Sequence, residues 1–230
     1  MEQFEACYLK LAASFVRGKI PQILRESMGS RALVPLDQLA DEDLKSIVRL
    51  GYAHGLKLHK FKRTMGLRRV ERVLGMLRGM QPATILDIGS GRGAFLWPLL
   101  EALPETVVTC VDVLPHRVRD ILAVREGGVG RLNALEMSAS KLAFAESEFD
   151  VVTFLEVLEH IPEPQSALNE AVRVARRFVI ASVPSKPDNN PEHLHLFTRE
   201  ALETLFKRAG ARSVAIEHVL NHTIAVGRVR

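Results

Sequence analysis

Apolar positions follow two different periods along the chain, and the change falls near residue 80. In the first part, two sets of apolar residues recur at helical spacing: Phe4, Tyr8, Leu11, Ala12 and Phe15, and then Leu67, Val70, Val73, Leu74 and Leu77. The pattern predicts an N-terminal helical segment over residues 1–80.

From Pro82 onward, short apolar runs alternate with helical stretches, which is typical of successive βαβ units. Strands are predicted at Thr84–Ile88, Val107–Val113, Arg131–Met137, Val151–Leu155, Phe178–Val183, Ser213–His218 and Thr223–Arg228. Helices are predicted at Phe95–Leu103, Pro115–Arg125, Pro164–Ala175 and Arg199–Ala209, with Gly210 as a helix stop. Because no helix separates the last two strands, they are expected to form a hairpin. Residues 81–230 therefore predict an α/β, Rossmann-like domain with a seven-stranded, mainly parallel sheet and helices on both faces.

Composition is that of an ordinary globular protein, with 47% hydrophobic and 25% charged residues. No run approaches the roughly 18 apolar residues of a membrane span, and the start Met-Glu-Gln-Phe-Glu does not resemble an export signal. We therefore expect a cytoplasmic protein. The cysteines Cys7 and Cys110 lie far apart in the sequence, so a disulfide framework is not expected.

Positive charge is concentrated in the N-terminal segment, where residues 1–80 hold 15 Lys and Arg against 8 Asp and Glu. Most of the excess lies between Lys57 and Arg78. Two interpretations stay open: the stretch binds an anionic partner such as RNA, or it is a solvated helix face that lies against the domain.

The strongest chemical signal is a glycine-rich turn between an apolar strand and a helix, Asp87-Ile88-Gly89-Ser90-Gly91-Arg92-Gly93. Glycines let a ligand approach the backbone closely, and exposed N–H groups at a helix start favour polar or anionic groups. Asp112, at the end of the next strand, is placed to accept hydrogen bonds from both ribose hydroxyls of a nucleotide-like cofactor. The spacing Gly89-x-Gly91-x-x-Ala94 alone also fits a dinucleotide-binding dehydrogenase.

Over residues 80–228 the chain resembles class I S-adenosylmethionine-dependent methyltransferases. The resemblance rests on Asp87-x-Gly89-x-Gly91-x-Gly93, Val111-Asp112, Glu148-Phe149-Asp150-Val151-Val152, the string Glu156 to Pro162, Ser182-Val183-Pro184 and His195-Leu196-Phe197-Thr198. It implies S-adenosyl-L-methionine as the cofactor, with its amino-acid part held by Asp87, Gly89, Ser90, Gly91 and Gly93. Its ribose would be held by Asp112, and Val113, Met137, Ser138 and Leu155 would lie beside it. Many relatives carry an acid after the third strand for the adenine amine, whereas this chain has Met137-Ser138-Ala139.

Three candidate site residues follow the fourth predicted strand: Glu156, Glu159 and His160. They would share one face if this segment were helical. The string Glu-x-x-Glu-His also occurs in ubiquinone-type O-methyltransferases, where it implies a pocket-lining Glu156 and a hydrogen-bond network. It resembles, in part, the metal-binding motif of small-RNA 3′-terminal ribose 2′-O-methyltransferases. That likeness implies a Mg²⁺ or Mn²⁺ site of Glu156, Glu159 and His160, completed by His193 or His195. Glu156, His160 and His195 are the candidate catalytic residues, with a histidine as general base.

These observations predict a methyltransferase that acts on an oxygen of a small molecule, with residues 1–80 covering the cofactor or acceptor side. Three alternatives stay open. They are a metal-dependent RNA ribose 2′-O-methyltransferase, a methyltransferase-like binding or regulatory protein without turnover, and a dehydrogenase.

Overall fold

A computed structural model describes residues 8–20, 34–63, 66–187 and 189–230. Its α-helices are α1 (Leu9–Lys19), α2 (Asp41–Ala53), α3 (Arg68–Met80), α4 (Leu96–Ala102), α5 (Pro115–Glu126), α6 (Pro164–Val174) and α7 (Arg199–Arg208). Its strands are β1 (Thr84–Ile88), β2 (Val107–Asp112), β3 (Leu132–Glu136), β4 (Phe149–Leu155), β5 (Ala175–Pro184), β6 (Ser213–Val219) and β7 (His222–Arg228).

The seven strands form one sheet in the order β3-β2-β1-β4-β5-β7-β6. The first five strands pair in parallel, whereas β7 runs antiparallel to both β5 and β6. This confirms the predicted α/β class, the seven strands and the terminal hairpin. The order reverses direction between β1 and β4, and in such sheets a crevice for ligands opens at the carboxyl ends of the strands at this point.

The central strands read as continuous apolar runs because helices cover both faces of the sheet. Residues 85–88 of β1 and 149–154 of β4 are buried. One core cluster, on one face, joins the sheet to α1, α2 and α3, and a second cluster packs α6 and α7 on the other. No helix among the described residues is long and apolar enough to span a membrane.

The N-terminal helix α1 packs backbone to backbone against α5. The Ser14 hydroxyl donates to the Val124 carbonyl oxygen at 2.5 Å. A Cβ built on Gly18 would lie 1.9 Å from the Ala123 carbonyl oxygen, so this approach requires glycine. Of the predicted helical positions, Phe4 lies outside the described residues, as does Cys7. Cys110 is buried in β2.

The basic stretch from Lys57 to Arg78 is largely paired with acids. Four of its cations contact the α/β domain: Lys60 with Asp120, Arg63 with Glu101, Arg69 with Glu156 and Arg72 with Glu217. These contacts favour the interpretation of a helix face that lies against the domain, because they use charges that an RNA backbone would otherwise attract.

The helical spacing predicted for Glu156, Glu159 and His160 is wrong. Glu156 directly follows β4 with a left-handed φ of 58°, and only Leu158–His160 form a single 3₁₀ turn. A left-handed residue cannot continue a right-handed helix, so Glu156 points differently from the other two.

Candidate functional site

A cavity of about 720 Å³ opens at the carboxyl ends of β1, β2 and β4. Its wall contains nine of the ten residues predicted to bind the cofactor, namely Asp87, Gly89, Ser90, Gly91, Asp112, Val113, Met137, Ser138 and Leu155. On another side the wall includes Arg69, Val70, Glu156, His160 and Glu192. The sequence motifs and the N-terminal segment therefore meet at one cavity.

The glycine turn forms the floor of this cavity. Gly89, Gly91 and Gly93 have φ values of 71°, 58° and 86°, in the left-handed region that favours glycine. A Cβ on Gly91 would have no neighbour nearer than 3.6 Å, which leaves that backbone open to a ligand. Gly93, the tenth predicted residue, is not part of the described wall, and a Cβ there would meet the Trp97 ring at 2.1 Å.

Asp87, near the end of β1, stabilises the glycine turn through its side chain. Its carboxylate accepts hydrogen bonds from the Ser90 hydroxyl at 2.6 Å and from the Thr153 hydroxyl at 2.7 Å. Burial raises the pKa of Asp87 to about 6, although both hydrogen bonds act in the opposite direction. A cationic amino group placed beside this carboxylate would favour its ionised form.

Asp112 joins the end of β2 to the glycine turn. One carboxylate oxygen accepts the Gly91 N–H at 3.1 Å, and the other accepts the Leu114 N–H at 3.0 Å. The Arg117 guanidinium approaches to 3.4 Å. These contacts orient an acceptor group toward the cavity, as binding of a ribose diol requires.

The wall near Met137 and Ser138 offers few polar groups. The Met137 N–H donates to the Asp112 carbonyl oxygen at 3.2 Å, and the Ser138 hydroxyl accepts the Ser140 N–H at 3.3 Å. Met137 and Ser138 line the cavity but place no carboxylate at the position of the acid that many relatives carry.

Glu156 is held by three side chains. The Ser182 hydroxyl donates to its Oε1 at 2.8 Å, His222 Nε2 lies 3.1 Å from its Oε2, and Arg69 Nε lies 3.5 Å from its Oε1. Burial lowers the pKa of His222, and Arg69 acts in the same direction against the charge of Glu156. Glu156 is therefore held in a fixed position in the cavity wall, with the His222 imidazole behind it.

A group of candidate metal ligands lies next to this wall. One ligand atom each of Glu159, His160 and His193 lies within 4.8 Å of the others. Glu159 is fully buried, and its carbonyl oxygen accepts the Leu194 N–H at 2.8 Å, which ties the loop to the 3₁₀ turn. Such oxygen and imidazole donors suit Mn²⁺ and related ions.

Two other predicted ligands lie outside that three-residue group. Glu156 makes the contacts given above, and His195 Nε2 lies 3.0 Å from the Ile161 carbonyl oxygen, with its ring against Phe197. His195 also lies outside the described cavity wall, so its catalytic role stays a prediction.

Three residues at the site were not predicted from the sequence. Arg69 belongs to the basic stretch between Lys57 and Arg78, whose charge alone does not assign it to this cavity. Arg117 lies in the first turn of α5, and His222 begins a hairpin strand. Proximity in the sequence could not reveal His222, because it reaches Glu156 across β5 through the pairing of Pro184 with His222.

Comparison with known proteins agrees with this geometry. Residues 86–179 match a family model described as a methyltransferase domain. Malonyl-(acyl-carrier protein) O-methyltransferase of Geobacter sulfurreducens is 29% identical over 171 residues, 65% of this chain and 64% of that protein. Ubiquinone biosynthesis O-methyltransferase of Alkalilimnicola ehrlichii is 32% identical over 118 residues, 47% of this chain and 43% of that protein.

Among solved structures, the methyltransferase domain of bacterial CtHen1-C superposes with a TM-score of 0.60 at 22% identity, covering 70% of this chain and 97% of that chain. This likeness shows a shared fold. The chain spans less than two thirds of the length of the two curated relatives. With the family match over residues 86–179, the sheet order and the glycine turn at the sheet's carboxyl edge, this chain is similar to the class I S-adenosylmethionine-dependent methyltransferases.

Proposed function

We propose that this protein transfers a methyl group from S-adenosylmethionine to an oxygen atom of a small-molecule acceptor. The observation that carries the proposal is the hydrogen bond between Gly91 and Asp112, which joins the open turn and the diol-binding acid in one cavity wall. The relatives named as O-methyltransferases support oxygen as the acceptor atom.

The cofactor fits the residues present. Asp87, Ser90 and the backbone of Gly89 and Gly91 would hold its amino-acid part, and Asp112 its ribose. When bound, the cofactor supplies an electrophilic methyl group, which bonds to the acceptor oxygen while the carbon–sulfur bond breaks and its electron pair stays on sulfur. Because a sulfonium methyl is already activated, the protein contributes mainly alignment and exclusion of water.

The acceptor would lie beside Glu156 and His160. When the acceptor atom is a hydroxyl oxygen, one of these two groups takes its proton. Helix α3 contributes Arg69 and Val70 to the wall, which supports a role of the N-terminal segment on this side of the cavity. The cytoplasmic location stays a prediction.

The first test is calorimetric titration of the full chain with S-adenosylhomocysteine. We expect one site per chain with a dissociation constant in the micromolar range, and no comparable binding of NAD or NADP. Absence of binding would contradict the proposal. Binding without methyl transfer to any compound in a broad panel of hydroxyl and carboxyl acceptors would favour the binding-protein alternative.

A second candidate function is metal-dependent methylation of an RNA 3′-terminal ribose. The observation that favours it is the group of Glu159, His160 and His193, which would hold a divalent cation that orients two neighbouring hydroxyls. The pairing of the basic stretch with domain acids speaks against an RNA surface there.

The metal prediction concerns binding and not activity. Titration with Mn²⁺, followed by electron paramagnetic resonance, should show one bound ion whose affinity falls at least about tenfold in His160→Ala and His193→Ala, because each removes one ligand. Glu163→Ala, an exposed acid nearby, should bind Mn²⁺ like the parent. Equal binding by all variants would mean that the group is structural.

A further inference from the structure

Arg69 brings a positive charge from the N-terminal segment to the acceptor side of the cavity. It lies in the first turn of α3, which buries Val73 and Leu77 in the core. One turn further on, Arg72 Nε and Nη2 donate to the two carboxylate oxygens of Glu217 at 2.6 and 2.8 Å. The backbone of α3 near Arg69 is therefore held against the domain by the buried apolar side chains and by the Arg72–Glu217 pair.

The guanidinium of Arg69 has few partners for so buried a position. Its side chain is 18% exposed, and its ion pair with Glu156, at 3.5 Å, runs through Nε. Within residues 8–20, 34–63, 66–187 and 189–230, Arg69 donates no side-chain hydrogen bond. Arginine offers five N–H donors, and their desolvation is costly unless they are bonded. Its terminal nitrogens are thus free to serve a ligand in the cavity.

Glu156 does not depend on Arg69 for its orientation. The Ser182 hydroxyl contacts Oε1 and His222 contacts Oε2, so both carboxylate oxygens are held from the β5 and β7 side. The Arg69 contact is the longest of the three. A ligand that engages the terminal nitrogens of Arg69 therefore need not displace Glu156.

We propose that Arg69 binds an anionic group of the methyl acceptor, a carboxylate or a phosphate, and so selects acidic small molecules. The proposal rests on the methyltransferase function proposed above. A guanidinium forms two parallel hydrogen bonds to either group, which gives both affinity and a fixed orientation. Arg69 then holds the anionic end of the acceptor, and the reacting oxygen of the acceptor lies beside Glu156.

The test uses aromatic fragments that differ only in charge. Protein saturated with S-adenosylhomocysteine is titrated with benzoate, phenyl phosphate and neutral benzamide, and binding is followed by ligand-observed NMR. We expect at least one anion to bind more tightly than benzamide. We expect that preference to fall at least about tenfold in Arg69→Gln, because charge-assisted hydrogen bonds are lost. Comparing benzoate with phenyl phosphate distinguishes a carboxylate from a phosphate acceptor.

The matched control is Arg68→Gln, which removes the neighbouring charge from an exposed position that pairs with Glu71. It should keep the parent's preference for anions. Equal anion binding by Arg69→Gln and the parent, or no preference over benzamide in the parent, overturns the proposal.

Titration of Arg69→Gln with S-adenosylhomocysteine separates this proposal from the function on which it rests. Unchanged cofactor affinity in the variant, with the anion preference lost, supports the acceptor role. Failure of the parent to bind S-adenosylhomocysteine overturns the methyltransferase function and the acceptor proposal together. Normal cofactor binding without any anion preference overturns the acceptor proposal alone.

Discussion

Asp112→Ala should weaken binding of S-adenosylhomocysteine by at least about 100-fold, measured by calorimetry. Two ribose hydroxyls would lose a charged acceptor, and hydrogen bonds to charged groups contribute roughly 1.5–3 kcal/mol each. The substitution also removes the acceptor of the Gly91 and Leu114 N–H groups, so the turn itself loosens. Asp112→Asn keeps one acceptor oxygen and should show an intermediate loss.

Glu136→Ala is the matched control for Asp112. Glu136 is the partner of Asp112 in the β2–β3 register, but its side chain is exposed and it does not line the cavity. Its removal should leave the affinity for S-adenosylhomocysteine within about twofold. If Asp112→Ala binds as tightly as the parent while remaining folded, the ribose assignment is wrong.

Gly127→Ala should be the most destabilising single methyl addition among the described glycines outside the cofactor site. The new Cβ would lie 1.7 Å from the Ser14 carbonyl oxygen, which belongs to the backbone of α1. No side-chain rotation relieves that overlap, so α1 must move away from α5. Overpacking of this kind costs about 1–3 kcal/mol, which lowers Tm by roughly 3–10 °C in a protein of this size.

Gly79→Ala provides the control for the methyl group itself. Gly79 lies in α3, and a Cβ there meets nothing within 4 Å. Alanine has the higher helix propensity, so this variant should be more stable by up to about 1 kcal/mol. Urea unfolding compares the two variants. Equal stability of Gly127→Ala and the parent would contradict the close packing of α1 on α5.

The local pattern of apolar runs and turn residues was sufficient to predict the strands of residues 81–230. Each predicted strand from Thr84 to Arg228 matches an observed one within three residues at either end. Strand identity follows from apolar runs and turn residues, which are properties of neighbouring positions. Gly210, predicted as the stop after α7, has a φ of 101°, as a helix-ending glycine requires.

The active-site details depended on contacts between distant residues. The sequence could not show that Glu156 leaves the helical path, because its left-handed φ accompanies hydrogen bonds to Ser182 that form only when β4 lies beside β5. The same holds for His193, which lies in the loop after β5 and meets Glu159 and His160 only in the folded chain.

The sequence by itself determined the fold class, the glycine turn and the acid at the end of β2, because these depend on residue type and short spacing. Only the tertiary structure decided which basic residue reaches the cavity. The sequence alone does not distinguish Arg68, Arg69 and Arg72. The packing of α3 leaves Arg68 exposed to solvent, pairs Arg72 with Glu217 and places Arg69 beside Glu156. The direction of a side chain on a helix is set by the surface against which the helix packs.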